Sequence, residues 1–165
     1  MGAVTRIRRS TLADGPALAR VDLATWNSLT SPSDPPDDPR GYAFFDERTR
    51  PEEVLIAEVD GAVAGFVKIR PVTPLPSHAH VLQIQGLGVD PAYQGRGVGQ
   101  ALLEAATAEA RARGARKLSL RVLGRNTAAR RLYERCGFRV EGVLAGEFHL
   151  DGEYVDDVLM ALSLG

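Results

Sequence analysis

The sequence has few of the residues that mark the more specialised classes of protein. Cys136 is the single cysteine in 165 residues. One cysteine cannot form an internal disulfide, so a disulfide-stapled secreted scaffold is excluded and a cytoplasmic location is expected. No apolar run is long enough to span a bilayer, and Met1 to Arg9 lack the apolar core of a signal peptide. We therefore expect no membrane partner.

Charge of one sign is also scarce, since 20 basic and 21 acidic residues give a formal net charge of −1. That balance provides no positive field over the whole domain, so we expect no nucleic-acid partner. His78 and His80 have no third ligand near them in the sequence, so we expect no metal site. The composition, 44% hydrophobic and 25% charged, is that of an ordinary globular chain, and we expect residues 1–165 to form one domain.

The pattern of apolar and turn residues predicts an α/β (α+β) fold. The helix-predicting segments are 98–113, 126–135 and a first helix that begins after Ser10 or Thr11 and carries Leu12, Leu18, Val21, Leu23 and Trp26 toward the core. The strand-predicting segments are 4–8, 54–59, 62–69, 80–89, 117–122, 138–150 and 154–162. Strand–helix–strand crossovers require parallel neighbours and the hairpins require antiparallel ones, so the sheet is mixed. The prolines between residues 31 and 41 predict an irregular surface segment.

The stretch between Val89 and Gln100 carries the clearest chemical pattern. A strand ends at Val89, Pro91 enforces a turn, and glycines 95, 97 and 99 lead directly into a helix. Glycines bring backbone amides close to a ligand, and amides at a helix N-terminus favour an anion. The pattern therefore predicts a phosphate or pyrophosphate cradle, with Arg96 as an added cation.

Two common phosphate-binding motifs do not fit this stretch. A P-loop needs Lys followed by Ser or Thr after its last glycine, whereas Gln100 and Ala101 stand there. A dinucleotide fingerprint needs a small residue where Leu102 stands. A glycine-rich turn without a ligand is the remaining structural alternative.

Two segments of this region resemble the GNAT superfamily of N-acetyltransferases. Residues 94–99, Gln-x-x-Gly-x-Gly, resemble the acetyl-CoA motif Q/R-x-x-G-x-G/A of that family. Residues 126–138 resemble the family segment N-x-x-A-x-x-L-Y-x-x-x-G-F at every fixed position. These motifs cover residues 81 to 138, and the order of strands and helices is similar over nearly the whole chain.

The resemblance implies a mixed, mostly antiparallel twisted sheet of about seven strands with a splayed central parallel pair, flanked by about four helices. It implies acetyl-CoA as the cosubstrate and no metal. Backbone groups of Leu87 and Val89 would pair with the pantetheine amides, and the amides of 95–100 would hold the pyrophosphate. The implied cofactor-binding residues are Leu87, Val89, Gln94, Gly95, Arg96, Gly97, Val98, Gly99, Gln100, Asn126, Arg130 and Tyr133.

In this family an amine attacks the thioester directly, without an acyl-enzyme. The resemblance places Tyr133 as proton donor to the leaving sulfur and the N–H of Val89 at the oxyanion. A lysine-type amine has a pKa near ~10.4, so it must lose a proton before or during attack. Many members carry a glutamate on the strand before the glycine loop, where this chain has Gln83 and Gln85, and we expect one of these to hold a water that takes the proton. The other candidate bases are Glu147, His149, Asp156 and Asp157.

Several alternatives stay open at this stage. A non-catalytic acyl-CoA-binding regulatory domain is the main one, because the strand glutamate is absent, and a nucleotide-binding enzyme is another. Cys136 has no evident partner base, so we do not expect a cysteine nucleophile. The acceptor could be a protein N-terminus, a lysine, a polyamine, an aminoglycoside or an amino-acid-like molecule, and a homodimer could form through strand 154–162. An acidic wall could attract a cationic amine, formed by Asp34, Asp37, Asp38, Asp46 and Glu47.

Overall fold

The computed structural model describes residues 5–165, so Val4, the first residue of the first predicted strand, lies outside them. The strands are β1 (Thr5–Arg9), β2 (Val54–Val59), β3 (Ala62–Pro71), β4 (Val81–Val89), β5 (Lys117–Leu123), β6 (Arg139–Leu150) and β7 (Glu153–Ser163). The helices are α1 (Gly15–Thr25), α2 (Val98–Ala112) and α3 (Thr127–Arg135). Within the described range no helix is both long and apolar enough to cross a membrane.

The seven strands form one sheet in the order β1-β2-β3-β4-β5-β7-β6. Every neighbouring pair is antiparallel except β4 with β5, which are parallel. The predicted mixed, mostly antiparallel sheet with one central parallel pair is therefore confirmed. The crossover through α2 is what makes β4 and β5 parallel, because a hairpin cannot connect parallel strands.

The expectation of about four helices is wrong, since residues 5–165 contain three α-helices. The segment between α1 and β2 forms only short 3₁₀ turns, at Pro39–Gly41 and Pro51–Glu53. Proline has no N–H to donate and clashes with a preceding helical turn, so the prolines of this segment prevent a further α-helix.

The first helix begins later than expected. Leu18 and Val21 are fully buried as predicted, but Leu12 lies in a 3₁₀ turn before α1 and is 73% exposed. Trp26 lies just past the end of α1. The carboxylate of Asp14 accepts a hydrogen bond from the Thr11 N–H at 2.8 Å, which closes the separate turn ahead of the helix.

The sheet separates two apolar clusters, one on each face. Leu55 and Val67 pack in the cluster that contains α2 and Tyr133 of α3. Their chain neighbours Ile56 and Phe66 pack in the cluster that contains α1. Because side chains alternate between the faces of a strand, α1 covers one face and α2 with α3 covers the other. A gap between two strands of this sheet therefore connects the two faces.

Such a gap opens between β4 and β5. The two strands pair only over Val81–Ile84 and Lys117–Leu120, although β4 continues to Val89. Beyond that point the two strands have no pairing with each other, so they diverge toward their carboxyl ends. The predicted splayed parallel pair is present in this form.

A β-bulge lies where the divergence begins. In the β3–β4 ladder Lys68 faces Gly86 and Ile69 faces Ile84, which leaves Gln85 as the extra residue of β4. A bulge bends its strand and increases the local twist. The bend at Gln85 accordingly begins at the position where pairing with β5 ends.

The final strand does not lie at an edge of the sheet. β7 pairs with β5 on one side and with β6 on the other. Residues 157–161 are paired on both edges, so this part of the predicted strand 154–162 cannot pair across a two-fold axis, and a homodimer stays a prediction. β6 is the edge strand at this side of the sheet.

Candidate functional site

The gap between β4 and β5 opens into a first cavity of about 700 Å³. Most of the residues predicted from the sequence line it. They are Gln83, Gln85, Leu87, Val89, Gln94, Gly95, Gly97, Val98, Gly99, Gln100, Asn126 and Tyr133. Arg96 and Arg130 are not among its lining residues.

The backbone of β4 presents polar groups to this first cavity. The Asp90 N–H donates to the Ala64 carbonyl of β3 at 2.8 Å. Successive N–H groups of a strand point to opposite sides, so the N–H groups of Val89 and Leu87 point away from β3, toward the gap. No strand pairs with them there, and a ligand can therefore hydrogen-bond to the backbone at these two positions.

The glycine loop ends at the N-terminus of α2, which faces the same cavity. Gly95 and Gly97 have φ values of 77° and 78°, in the left-handed region that favours glycine. Ala101 donates the first helical hydrogen bond, to the Gly97 carbonyl at 3.0 Å. The N–H groups of 98–100 consequently have no partner within the helix and lie at the positive end of its dipole, which suits an anionic group.

Gly99 has a different role from the other two glycines. A Cβ atom at this position would lie 2.9 Å from Cδ2 of Leu132 on α3. Glycine here lets α2 and α3 pack closely on one side of the cavity, so its absent side chain serves helix packing.

Polar side chains of the glycine loop hold the loop itself. Gln94 Nε2 donates to the Val89 carbonyl at 3.1 Å. The exposed guanidinium of Arg96 lies 5.6 Å from the centre of the Tyr93 ring, within cation–π distance. Both side chains are exposed, and their predicted role at the pyrophosphate stays a prediction.

Asp90 fixes the start of the loop. Its carboxylate accepts hydrogen bonds from the Ala92 N–H at 3.0 Å and from the Arg20 guanidinium at 2.7 Å. These bonds, the backbone one first, hold the pKa of Asp90 below its ordinary value. The loop between β4 and α2 is thus tied to α1 by an ionised carboxylate.

Asn126 is the N-cap of helix α3, and its side-chain oxygen accepts the Ala129 N–H at 3.3 Å. The amide nitrogen of Asn126 remains available to the first cavity. Arg130 instead donates from Nη1 to the Gly124 carbonyl at 3.2 Å. Its Nε is buried without a hydrogen-bond partner among residues 5–165. Arg130 therefore supports the turn between β5 and α3 and does not face the cavity.

Tyr133 lies on α3 with 8% of its surface exposed and lines the first cavity. Its ring packs edge-to-face against Phe138, with the ring centroids 6.0 Å apart. Burial raises the pKa of Tyr133 to about 12. The hydroxyl consequently keeps its proton at neutral pH and can act there as a hydrogen-bond donor.

The candidate bases of the last hairpin lie away from the first cavity. Asp157 is buried and accepts a hydrogen bond from Nε of Arg121 at 2.7 Å. Asp156 accepts a backbone N–H of β6 at 2.9 Å. His149 stacks on an exposed tyrosine of β7 with ring centroids 4.7 Å apart, and Glu147 is exposed. None of these four acidic or imidazole groups lines the cavity.

Gln83 and Gln85 both line the first cavity. Nε2 of Gln85 donates to Oε1 of Gln83 at 3.0 Å, which leaves Oε1 of Gln85 as a free acceptor. No Asp or Glu side chain lines this cavity among the residues that the structure describes. Burial raises the pKa of the Cys136 thiol, which disfavours a thiolate nucleophile.

A second cavity of about 400 Å³ lies on the α1 face and adjoins the first. The residues that line both cavities are Thr25, Thr30, Ser31, Gln85, Gly86 and Leu87. Two charged side chains in its wall, Asp22 and Lys68, did not emerge from the sequence pattern. Lys68 is the one charged residue in the apolar run from Ala62 to Ile69, which is the signal that could have found it.

Hydrogen bonds hold both charged groups of the second cavity. The Tyr42 hydroxyl donates to Asp22 at 2.5 Å, and burial raises the pKa of Asp22. Lys68 donates to the Thr49 hydroxyl at 3.2 Å, and burial lowers the pKa of Lys68. The five residues of the expected acidic wall line neither cavity.

Comparison with known proteins identifies the family. The family model for the acetyltransferase (GNAT) family matches residues 20–138, a range that contains α2, α3 and the glycine loop. The chain therefore belongs to the acetyltransferase (GNAT) family.

Individual relatives differ in how much of their length the chain matches. The chain is 27% identical over 166 residues to L-amino acid N-acyltransferase MnaT of Escherichia coli, covering 96% of this chain and 93% of that protein. It is 33% identical over 138 residues to mycothiol acetyltransferase of Cellulomonas flavigena, covering 81% of this chain and 36% of that protein. Matches to the mycothiol acetyltransferases span between 18% and 38% of those relatives.

The fold has the same architecture as a solved structure that holds a ligand. A Salmonella typhimurium protein solved with its cofactor acetyl-CoA superposes with a TM-score of 0.81. The superposition covers 99% of this chain and 95% of that chain at 23% identity. At that identity the likeness is one of fold.

Proposed function

We propose that this chain transfers the acetyl group of acetyl-CoA directly to a primary amine. The observation that carries the proposal is the meeting of three kinds of donor at the first cavity: the Val89 N–H, the free amides that begin α2, and the Tyr133 hydroxyl. Acetyl-CoA would supply an acetyl group activated as a thioester. The α2 amides would hold its pyrophosphate, and the backbone of Leu87 and Val89 would pair with the pantetheine arm.

Each donor has a part in the transfer. As the amine nitrogen bonds to the acetyl carbon, charge develops on the acetyl oxygen, and the Val89 N–H donates a hydrogen bond to it. Tyr133 donates to the sulfur while the carbon–sulfur bond breaks. The amine loses one proton as the amide forms and the departing thiolate gains one, so a neutral amine balances the reaction. An ammonium must first lose a further proton, which a water held by Gln85 or Gln83 would accept.

A non-catalytic acyl-CoA-binding regulatory domain is the second candidate. The observation that favours it is the lack of a carboxylate in the wall of the first cavity among residues 5–165. Such a domain would bind acetyl-CoA through the same backbone groups and release no thiol.

The test is acetyl-CoA consumption, read as free thiol release, across a panel of amines. The panel includes amino acids, because the Escherichia coli relative is named for them. We expect release that requires a particular amine, and a fall in turnover of about 100-fold in Tyr133→Phe, the lower range for loss of a general acid. Tyr154→Phe is the matched control, since that tyrosine is 75% exposed on β7 and lines neither cavity. Acetyl-CoA binding with no release for any amine would favour the regulatory domain.

A further inference from the structure

The second cavity contains a cation without a charged partner. The Lys68 ammonium donates to Thr49, whose hydroxyl is neutral, at 3.2 Å. Thr49 is itself buried, with 8% of its surface exposed. Among residues 5–165 no carboxylate lies within 4.0 Å of the Lys68 ammonium. An ammonium taken out of water is stabilised by an anion, so this position is suited to bind one.

Asp22 lines the same cavity but does not neutralise Lys68 by contact. Its carboxylate is held by the Tyr42 hydroxyl at 2.5 Å. Burial and then the charge of Arg70 lower the pKa of Lys68, whereas Asp22 raises it from that position, as Glu53 and Asp46 do to a smaller extent. Asp22 therefore favours the charged form of Lys68 while leaving its ammonium free to contact a ligand.

The second cavity also has an apolar wall and an opening toward the first cavity. Trp26, Phe44 and Phe66 line it, and the two phenylalanine rings pack edge-to-face at 4.9 Å. It joins the first cavity beside Gln85 and Leu87, where the gap between β4 and β5 connects the two faces of the sheet. A molecule in the second cavity can thus extend an amine through the gap toward Val89. A volume of about 400 Å³ is at the lower end of the range, roughly 300–1,000 Å³, of small-molecule sites.

We infer that the second cavity binds the acceptor through a carboxylate, which Lys68 and Thr49 hold. The acceptor is then a small zwitterion of the α-amino-acid type, with its amine at the gap and its side group against Trp26 and Phe44. This inference rests on the proposed function, because it names the substrate class of the same site. Asp22 is a positioning residue in this arrangement, acting through the charge of Lys68.

The test compares amino acids with their carboxamides, in which a neutral amide replaces the carboxylate that Lys68 would hold. Binding of L-leucine and L-methionine, and of their amides, is measured by calorimetry on the full chain saturated with CoA. Thiol release from acetyl-CoA is measured with the same four compounds. We expect the wild type to prefer each acid by about 10- to 100-fold, as loss of a charge-assisted hydrogen bond predicts.

Variants at the two lysines of the chain test whether Lys68 causes the preference for the acid over the amide. Lys68→Met removes it, and Lys68→Arg, which keeps the charge, restores most of it. Lys117→Met leaves it unchanged, because Lys117 pairs with Glu141 at 2.7 Å and lines neither cavity. The dissociation constant of CoA, measured in each variant, shows that the protein is folded.

The outcomes separate this inference from the proposed function. If the protein binds the acids more tightly than the amides, and this preference requires Lys68, the inference is supported. The absence of thiol release in that case would count only against the transferase activity. Thiol release with equal use of acids and amides supports the transferase and overturns the inference. A preference that survives in Lys68→Met, or failure of all four compounds to bind, also overturns it.

Discussion

The two cavities that meet at the gap between β4 and β5 are built from different parts of the chain. The first uses backbone groups, the N–H groups of Leu87 and Val89 and those that begin α2. The second uses side chains, with Lys68 from β3, Thr49 from the preceding loop and Asp22 from α1. A backbone site tolerates many side chains and recognises a constant ligand, whereas a side-chain site can differ from one protein to the next. Our proposal accordingly assigns acetyl-CoA to the first cavity and the acceptor to the second.

The largest expected effect tests whether the first cavity depends on its backbone. Gly97→Ala places a Cβ at φ 78°, beside the amides that begin α2. We expect the dissociation constant of acetyl-CoA to rise by about 10- to 100-fold, because the added methyl group would keep the ligand from the backbone amides. Isothermal titration calorimetry measures it.

Gly114→Ala is the matched control for that change. Gly114 has φ 80° with open space around it, as Gly97 does, but it lies at the other end of α2. Both variants should lose about 1–2 kcal/mol of unfolding free energy, and only Gly97→Ala should lose acetyl-CoA affinity. Equal affinities in the two variants would show that the glycine loop does not contact the ligand.

The first cavity could be predicted because its residues are local in sequence. A strand end, a proline turn and glycines 95–99 lie within one short stretch, and the αL conformation of Gly95 and Gly97 follows from that pattern. Side-chain roles were harder to assign. Gln94 and Arg96 contact Val89 and Tyr93, local partners that the motif does not reveal, and their place at the pyrophosphate stays a prediction.

The second cavity could not be predicted because its residues are distant in sequence. Asp22 and Tyr42 meet only because the segment after α1 folds back on that helix, and the prolines there left its path undetermined. Lys68 meets Thr49 through the same folding. The sequence instead suggested that the acidic residues of this segment attract the amine. In the structure Asp38 pairs with Arg40 at the surface, and Asp46 caps its own turn.

A smaller effect tests Gln85, which lines both cavities. Gln85→Ala removes the free Oε1 acceptor, and we expect turnover to fall by about tenfold at neutral pH, below the range for a direct acid or base. The loss should shrink as pH rises toward the pKa of the amine, because the neutral amine then needs no proton acceptor. If Gln85→Ala and Gln83→Ala both left turnover and its pH profile unchanged, the water-relay hypothesis would be wrong.

A still smaller effect concerns the segment after α1, in which Thr30 and Ser31 line both cavities. Nη2 of Arg125 donates to the Ser28 carbonyl at 2.6 Å and to Asp151 at 2.9 Å, which ties the segment after α1 to the turn between β6 and β7. Arg125→Met should raise the KM of the acceptor by about threefold to tenfold, as loss of one such bond predicts, and leave the affinity for acetyl-CoA unchanged. Arg40→Met, at an exposed pair, is the control and should change neither constant.

The last effect concerns stability and comes from a contact outside both cavities. Arg8 donates to Asp14 at 2.7 Å and lowers the pKa of Asp14 to about 2. A carboxyl with a depressed folded-state pKa stabilises the fold above its unfolded pKa and loses that contribution as the pH falls through the folded value. We expect the wild type to lose on the order of 1–2 kcal/mol between pH ~4 and pH ~2 from this group.

Asp14→Asn is the variant that isolates this contribution. It should be less stable than the wild type at pH 7, and the difference should disappear near pH 2. Denaturant unfolding at several pH values measures it, and a difference that stays constant over that range would contradict the assigned pKa.

The most direct measurement is a backbone amide chemical-shift titration of the labelled protein, first with acetyl-CoA and then with an acceptor. Acetyl-CoA should shift the amides of Leu87, Val89 and residues 95–100, and the acceptor should then shift those of Asp22, Thr49 and Lys68. Acetyl-CoA shifts confined to residues outside the first cavity, or an acceptor that perturbs only the first cavity, would contradict the division between a backbone site and a side-chain site.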